Sequence, residues 1–322
     1  MGKTSISKGV LAIVTASFLW GTTGTAAQYA PNISPLAIGA FAMGVCGLLL
    51  CCFAFNQLKN DVAKLRLHPL ILLVGSLCVA IYPLAFYSSM RMSGVAIGTI
   101  VSIASAPLFA AALEFVFENK RVSFKWTASF VFGVLGVTLL MLGKSSSIRS
   151  DNINVAHYIG VLLGLVAGLT YAGYTFSAKR LIQSGVHSTS SMAGLFGCAA
   201  LLLLPSLYFT GAHLFATPLN TTVALYMALV PMFGGYVLFG YGLRTVEASR
   251  ATLITLLEPL VATLLAIYLV GETFRAVGWL GMGLVCLCMM IQSLPQRWPQ
   301  RGFFASKAGG VLFWKSVKSR TR

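Results

Sequence analysis

The stretch FYSSMRMSGVAIGT at residues 86–99 has a counterpart, FGYGLRTVEASRAT, at residues 239–252. Each stretch joins the end of one long apolar segment to the start of the next. Phenylalanine, arginine and threonine recur at one constant spacing, which aligns Phe86, Arg91 and Thr99 with Phe239, Arg244 and Thr252. The chain therefore consists of two related halves.

The likeness extends from these stretches in both directions. Gly9-Val10-Leu11 opens the first half as Gly160-Val161-Leu162 opens the second, and Trp20 aligns with Tyr171. Each half holds five apolar segments near the ~20 residues that a membrane-spanning helix needs. The predicted spans are 9–30, 33–55, 70–90, 94–116, 123–143, 157–178, 188–210, 220–242, 248–270 and 276–293.

An odd number of spans in each half reverses the second copy in the membrane. The sequence thus predicts an all-α integral membrane protein with ten transmembrane helices, arranged as two inverted five-helix repeats over 9–143 and 157–293. Residues 294–322 form a basic tail, which we expect in the cytoplasm. Inverted repeats are a common architecture of secondary transporters.

Composition supports the membrane class. Hydrophobic residues make up 57% of the chain and charged residues 9%, with a mean hydropathy of +0.84. Soluble domains carry roughly 25% charged residues. The net charge of +16 is spread over loops, so it indicates contact with anionic lipid headgroups and predicts no nucleic-acid partner.

The basic residues also predict an orientation. With the N-terminus inside, 19 lysines and arginines fall on the cytoplasmic side and only 4 outside. By the positive-inside rule both termini are cytoplasmic, in a plasma or inner membrane.

No metal, disulfide or cofactor is expected. The 7 cysteines all lie in apolar spans, form no CxxC pair and have no histidine at metal-ligand spacing. No GxxxxGK[ST] loop is present, which argues against an ATP-driven pump.

Two acidic residues lie within predicted spans. Glu258 is at the middle of 248–270, directly before Pro259. A carboxylate at that depth costs several kcal/mol unless it is protonated, paired or hydrated. A proton-coupling or substrate-contacting role and a structural hydrogen bond both remain open for Glu258. Glu114 lies near the cytoplasmic end of its span, where we expect snorkelling or a loop contact.

Aromatic and hydroxyl side chains gather at the depth of Glu258. Trp and Tyr usually occupy the membrane interfaces, so rings at mid-span indicate either a hydrated central cavity or helix packing. The cavity candidates are Trp20, Thr23, Tyr82, Tyr87, Tyr171, Tyr174 and Glu258.

Glycines mark two further features. Gly133 and Gly136 in the fifth span match Gly278, Gly281 and Gly283 in the tenth, a pattern typical of close helix packing. The glycine-rich eighth span, with Gly234-Gly235 after a proline, is expected to be flexible.

These motifs resemble the drug/metabolite transporter superfamily in its ten-span, EamA-type form. The resemblance rests on Leu19-Trp20-Gly21, on 87–99, and on Leu257-Glu258-Pro259 with Gly271-Glu272. In the first repeat, Asn119-Lys120 stands where the family carries glycine and glutamate. The resemblance implies a central cavity among spans one to four and six to nine, braced by spans five and ten. It also implies ATP-independent export of amino acids, amines or nucleobases.

The sequence thus predicts a secondary transporter, not an enzyme, that exports small polar or amphipathic metabolites by alternating access. Its expected partners are a small-molecule substrate, membrane lipids and a proton as coupling ion, with uncoupled efflux as an alternative; a homodimer is left open. A lipid flippase or receptor-like protein is a further alternative. An intramembrane enzyme acting on lipid-linked substrates is less favoured, because the four histidines lack a serine or acid partner.

Overall fold

The computed structural model describes residues 3–143, 155–270 and 275–293, and within these ranges the chain is helical with no strand. The predicted linker 144–156, apart from its last two residues, and the tail 294–322 lie outside the described residues. The α-helices are α1 (Lys3–Gly21), α2 (Thr23–Gln28), α3 (Pro35–Phe53), α4 (Phe55–Arg66), α5 (Pro69–Ser93), α6 (Val95–Glu118), α7 (Phe124–Gly143), α8 (Val155–Gln183), α9 (Ser188–Thr210), α10 (Pro218–Met227), α11 (Gly235–Gly242), α12 (Ala248–Ile254), α13 (Leu257–Leu265) and α14 (Ala276–Ser293). Two π-helical segments, Ala228–Gly234 and Ala266–Val270, continue α10 and α13.

Nine helical segments of the described chain are long and apolar enough to cross a membrane, and Ala276–Gln292 is a shorter apolar helix. The chain is therefore a multi-pass membrane protein. The nine segments are Ser7–Gln28, Pro35–Phe53, Pro69–Ser93, Ile97–Glu118, Phe124–Gly143, Val155–Gln183, Ser188–Thr210, Pro218–Gly242 and Ala248–Leu269. Each coincides with a predicted span, and the sixth runs five residues beyond its predicted end.

Local sequence sets the helix boundaries. Pro35, Pro69 and Pro218 stand in the first turn of α3, α5 and α10, where the missing N–H costs nothing. Gly94 has a φ of 89° between α5 and α6, and Asn119 ends α6 in the left-handed region with a φ of 53°. Few residues other than glycine and asparagine adopt these angles.

The helices pack mainly across the two halves of the sequence. α5 lies along α8, α3 along α9, and α1 along α11 and α13. The largest fully buried side chains include Tyr174, Phe196 and Phe239. Exposed leucines, such as Leu201 on α9 and Leu162 on α8, point away from this core, as expected for a surface that faces lipid.

The contact between α7 and α14 depends on glycine. A Cβ atom on Gly136 would lie 2.8 Å from the backbone nitrogen of Val285, and one on Gly281 would overlap the backbone of Leu140. Close packing of these two helices through glycine is therefore confirmed. Gly283, by contrast, faces open space.

Two spans are less regular than the sequence predicts. The eighth is interrupted by the π-helical turn at Ala228–Gly234, and Gly235 packs against the indole nitrogen of Trp20. Gly234 and Gly235, for which the sequence predicts flexibility, both lie in helical turns. The ninth span breaks at Thr255–Leu256, between α12 and α13.

Candidate substrate cavity

A cavity lies between the two halves of the sequence at mid-helix depth. Its wall is formed by α1 with α2, α3, α5, α8, α13 and the irregular eighth span. Its free volume is about 60 Å³, which is room for a few water molecules. All seven predicted candidates line it: Trp20, Thr23, Tyr82, Tyr87, Tyr171, Tyr174 and Glu258. The sequence placed these residues at one depth, and the fold brings them together.

Packed aromatic rings close one side of the cavity. Trp20 lies 4.9 Å from Tyr236 and 5.2 Å from Phe239, measured between ring centroids. Tyr174 contacts Tyr236, and Phe196 lies 4.2 Å from the Tyr236 ring. These five rings are at most 5% exposed, so they form a dry floor, which we call the ring floor.

Hydroxyl groups at the ring floor find partners across helices. Tyr171 donates to the Thr255 hydroxyl at 2.8 Å, and Thr255 in turn donates to the Thr252 carbonyl. The hydroxyls of Tyr174 and Tyr236 share a hydrogen bond of 3.0 Å. Buried phenols of this kind require such partners. The indole N–H of Trp20 is different, because it is buried without a hydrogen-bond partner in the described chain.

Glu258 stands in the first turn of α13, directly after the break at Thr255–Leu256. A negative charge is favoured in the first turn of a helix, and Pro259 is tolerated there. Gly21 lets α1 approach this point, since a Cβ atom on it would overlap Val261 and touch the Glu258 carbonyl. The break, the proline and the glycine together hold the carboxyl at the cavity wall.

The cavity carries one acidic group and no basic one among the residues described. Glu258 is partly exposed to the cavity, and its carboxyl makes no hydrogen bond or ion pair with another residue of the described chain. Tyr82 and Tyr87 on α5 lie within electrostatic reach of it. The wall therefore combines one carboxylate with polarisable rings.

Two threonines follow the end of α1, and one of them, Thr23, lines the cavity. The Thr23 hydroxyl donates to the Trp20 carbonyl at 2.7 Å, so it completes the helical turn. Thr22 shares a hydrogen bond of 2.8 Å with the Tyr226 hydroxyl. Both threonines are partly exposed, unlike the ring floor.

Sequence reasoning missed part of the wall. Tyr236 and Pro83, which lie at the same mid-span depth as the predicted candidates, also line the cavity. The missed residues are apolar or small, which gives no polar signal by which to find them: Gly39, Ala42, Met43, Phe86, Met227 and Met232.

Glu114 does not snorkel. Its side chain is buried and accepts the Ser249 N–H at 3.0 Å and the Ser249 hydroxyl at 2.5 Å. Ser249 is the second residue of α12, so Glu114 caps a helix of the other half. A carboxylate at this place satisfies backbone donors that a helix start leaves free.

A network of ion pairs lies beyond the ring floor. We call this side the α4 end of the bundle; it carries α4 and the connections 119–123, 184–187 and 243–247. Glu118 pairs with Lys120 at 2.6 Å and with Arg180 at 3.3 Å, and Lys120 also pairs with Glu247 at 2.9 Å. Burial alone would lower the pKa of Lys120, but the two carboxylates outweigh it and raise that pKa. The ammonium is therefore charged at neutral pH.

Lys179 adds to this network from α8. Its ammonium donates to the carbonyls of Leu243 and Val246 at 2.9 and 3.0 Å and lies 3.9 Å from Glu247. These carbonyls follow α11, where a helix leaves backbone acceptors unpaired. Sequence reasoning treated these residues only as topology markers, because nothing in their spacing shows which loops meet.

A second, larger cavity of about 580 Å³ opens at the α4 end. Asp61 and Lys64 line it together with His187 and Arg244. Lys64 bonds Asp61 at 2.7 Å and the Gly185 carbonyl at 2.9 Å, and Asp61 accepts the His187 N–H at 2.9 Å. Burial raises the pKa of Asp61, but the bonds from Lys64 and His187 prevail and leave it lowered. These contacts clamp α4 to the turn between α8 and α9.

Metal binding has no support in the described residues, where no group of three or more His, Cys, Asp or Glu side chains could hold an ion.

Comparison with known proteins assigns the family. The profile of the EamA-like transporter family matches twice, at residues 7–142 and 158–294. The chain belongs to the EamA-like transporter family. The resemblance to this family that the sequence suggested is confirmed.

Two relatives of this EamA-like chain carry transporter names. It is 35% identical over 290 residues to the uncharacterized transporter YwfM of Bacillus subtilis, covering 89% of this chain and 94% of the relative. It is 26% identical over 301 residues to the uncharacterized inner membrane transporter YicL of Salmonella typhimurium, covering 91% and 97%. A solved structure titled "Crystal structure of protein" superposes with a TM-score of 0.74 at 15% identity, covering 88% of this chain and 96% of that one. It shows the fold alone.

Proposed function

We propose that this protein is a secondary transporter that moves a small metabolite through the central cavity by alternating access. One observation carries the proposal: residues from both halves enclose a mid-membrane cavity with one carboxyl, Glu258, that has no partner among the described residues. The family and the named relatives point to transport rather than to an enzyme.

The helix contacts support a ten-span architecture of two inverted repeats. The main contacts between halves have counterparts in which the roles of the halves are exchanged. α5 packs on α8 as α11 packs on α1, and α6 packs on α8 as α13 packs on α1; α3 with α9 and α7 with α14 are their own counterparts. Such pairing is expected of a pseudo-two-fold transporter.

The present arrangement has the features of a state closed at the α4 end. There, the ring floor and the ion pairs of Glu118 and Lys120 lie between the cavity and the loops. Thr22 and Thr23, on the other side of the cavity, are partly exposed. With the α4 end in the cytoplasm, as the basic residues predict, the cavity in this state faces the outside of the cell.

The proposed direction is export from the cytoplasm across a plasma or inner membrane. The substrates are small polar or amphipathic metabolites, amino acids and related compounds among them. Glu258 is the proposed proton carrier, since it is the only acidic group at the cavity in the described chain.

Flux measurements test the transport proposal. The purified chain, reconstituted in liposomes with an imposed pH difference, is assayed with a panel of labelled amino acids and amines. We expect at least one compound to move without chemical change. Covalent conversion of a substrate would identify an enzyme, and movement of labelled phospholipid alone would identify a flippase.

Thiol labelling tests the orientation. In a background without native cysteines, Ala216→Cys between α9 and α10 should react with an impermeant reagent added outside intact cells. Asn60→Cys on α4 should react only after the membrane is opened. Equal labelling at both positions would contradict the proposed topology.

A further inference from the structure

The larger cavity at the α4 end carries two cations from different halves of the sequence. Lys64 stands on α4 and Arg244 in the connection 243–247, and both line the cavity with exposed side chains. The cavity volume of about 580 Å³ lies within the roughly 300–1,000 Å³ that is usual for small-molecule sites. A ligand larger than a single ion therefore fits.

The Arg244 guanidinium has hydrogen-bonding capacity that the described chain does not use. Its Cζ atom lies 5.4 Å from the ring centroid of Tyr241, which is a cation–π contact. It makes no hydrogen bond or ion pair with another residue that the structure describes. A guanidinium offers a planar fork of N–H donors that matches two oxygens of a phosphate or carboxylate. The Tyr241 ring, which also lines the cavity, positions this fork at the wall.

The Lys64 ammonium keeps one donor for a ligand. It donates to Asp61 Oδ1 at 2.7 Å and to the Gly185 carbonyl at 2.9 Å. An ammonium has three donors, so the third is available, and the side chain is 49% exposed. The two occupied donors fix the Nζ atom at the cavity wall, and less side-chain entropy is therefore lost when a ligand binds.

The carboxylate of the cavity does not cancel both cations. Asp61 is the only acid among the described residues that line the space. Its Oδ1 accepts from Lys64 and its Oδ2 accepts the His187 N–H at 2.9 Å, and the side chain is only 6% exposed. The positive charge of Arg244 is therefore not neutralised by any residue of the described lining.

Neutral donors complete the lining. Gln57 and Asn60 are exposed and lie on the same face of α4 as Lys64, at helical spacings of three and four residues. The Nδ1 atom of His187 accepts the Thr189 N–H at 3.4 Å, so a neutral ring carries its proton on Nε2. An anion in this cavity would meet amide and imidazole donors in addition to the two cations.

We propose that this cavity is a second binding site, separate from the central cavity, for a phosphate monoester held between Lys64 and Arg244. A phosphate monoester carries about −1.5 to −2 charges at neutral pH and three strong acceptor oxygens, whereas a carboxylate has one charge and two oxygens. The two cations and the neutral donors of the lining match the phosphate more fully. Lys64 belongs to the first half and Arg244 to the second, so the bound group links the halves.

The phosphate can belong to a soluble metabolite or to a lipid headgroup. The α4 end is cytoplasmic in the proposed orientation, where both kinds of phosphate monoester occur. Phe55 begins α4 and Leu67 follows its last residue, and both side chains are exposed, as expected where a helix borders lipid. The shared chemistry is the phosphate group, and the two sources are separated by experiment.

Three compounds test the site on the full chain in neutral detergent. Glycerol 3-phosphate is a soluble phosphate monoester, glycerol is its uncharged counterpart, and phosphatidate carries the same group on a lipid. We expect calorimetry to detect binding of glycerol 3-phosphate and none of glycerol. Phosphatidate should raise the melting temperature more than phosphatidylcholine does, because a ligand that binds the folded state stabilises it.

The pattern of binding identifies the source of the phosphate. Binding of glycerol 3-phosphate without an effect of phosphatidate supports a site for soluble metabolites. An effect of phosphatidate without binding of glycerol 3-phosphate supports a lipid site. If neither compound binds, the proposal is wrong. These measurements need no transport activity, so they are independent of the proposed transport function.

Matched variants separate a built site from general attraction of anions to a basic surface. Arg244→Gln and Lys59→Gln each remove one positive charge, but Lys59 is exposed on α4 outside the cavity lining. We expect Arg244→Gln to bind the phosphate compound at least about 10-fold more weakly and Lys59→Gln to bind it normally. Arg244→Lys keeps the charge without the fork and should bind several-fold more weakly.

The variants are compared at unchanged elution in size-exclusion chromatography, which we expect because Arg244 makes no polar contact with a described residue. An equal loss of affinity in Arg244→Gln and Lys59→Gln would overturn the proposal, since it would show attraction by the overall positive charge alone.

Discussion

The position of the Glu258 carboxyl is set by neighbouring residues that have no chemical role of their own. The break at Thr255–Leu256 starts a new helix, and Gly21 removes the side chain that would push α1 away from that start. A polar residue in the middle of a continuous span would instead point along a regular helix face. The carboxyl is therefore available to a ligand because the backbone around it is irregular.

Replacing Glu258 with glutamine tests its role in coupling. Glu258→Gln keeps the shape of the side chain but cannot titrate. We expect the variant to fold normally and still to exchange a bound substrate, yet to lose accumulation driven by an imposed pH difference in liposomes. Unchanged pH-driven accumulation would make the carboxyl structural. Glu247→Gln, at the α4 end, is the control for loss of a carboxylate outside the cavity.

Trp20 has both a packing role and an unpaired donor. Its ring is 5% exposed and packs at a tilt against Tyr236 and Phe239, whereas its N–H has no partner in the described chain. Trp20→Ala should therefore lower folded yield as well as transport, because deletion of a buried ring costs about 3–5 kcal/mol. Trp20→Phe keeps a ring and should retain yield in detergent while transport falls. If Trp20→Phe has the folded yield and the transport rate of the unchanged protein, the indole N–H donor is not used in transport.

At the scale of the helices, the hydrophobic pattern was enough to place the spans, since each run of about 20 apolar residues has only one way to satisfy its backbone in lipid. It did not reveal the π-helical turn at Ala228–Gly234 or the break before Glu258, because both depend on packing against α1. For Glu114 it predicted snorkelling or a loop contact, but it did not identify Ser249 at the start of α12 as the partner. The mid-span polar residues of the site were predictable by their depth, but Met227 and Gly39 were not, since an apolar wall residue and a packing residue look alike in sequence.

The helix pair α7 and α14 allows a matched test of glycine packing. Gly281→Ala places a methyl group against the Leu140 backbone and should lower stability by about 1–3 kcal/mol. Gly283→Ala, two residues along the same helix, faces open space and should be neutral or stabilising by up to about 1 kcal/mol. Thermal unfolding in one detergent compares them. Equal melting temperatures would mean that the contact does not limit stability.

The clamp on α4 predicts a stability effect with a defined pH range. Asp61→Ala leaves the His187 N–H unpaired and should cost about 1–3 kcal/mol, whereas Lys59→Ala, an exposed position on the same helix, should be neutral. Because the pKa of Asp61 is lowered in the folded state, its contribution is present above the unfolded pKa and is lost as the pH falls through the folded value. The difference in melting temperature should persist into mildly acidic buffer and vanish only in strong acid.

In the molecule as a whole, ion pairs connect the two halves of the sequence at the α4 end. Glu118 and Lys120 come from the first half, and Arg180 and Glu247 from the second. Opening this end requires separating ions, one of which, the carboxylate of Glu118, is only 7% exposed. Breaking such a pair by removal of one partner is costly, so the network favours the closed state.

Removing that carboxylate should shift the population toward a state open at the α4 end. Thr252 lies one turn before Thr255 and is buried between the ion-pair network and the cavity. Thr252→Cys therefore reports access from the α4 end. In inverted vesicles without native cysteines, Glu118→Gln should raise its labelling rate several-fold, and Lys59→Gln should not. An unchanged rate in Glu118→Gln would contradict the locking role.

The cap that Glu114 places on α12 also has a consequence for biosynthesis. The two partners, Glu114 and Ser249, are 135 residues apart. At about 5–20 residues per second of translation, the start of α12 leaves the ribosome on the order of ten seconds after its cap. Until then, α6 lies in the membrane with the carboxyl of Glu114 unpaired. When α12 is synthesised, its first backbone N–H groups are also unpaired, and only the first half can supply their acceptor. The second half, synthesised as a separate polypeptide, should therefore be degraded unless the first half is made in the same cell.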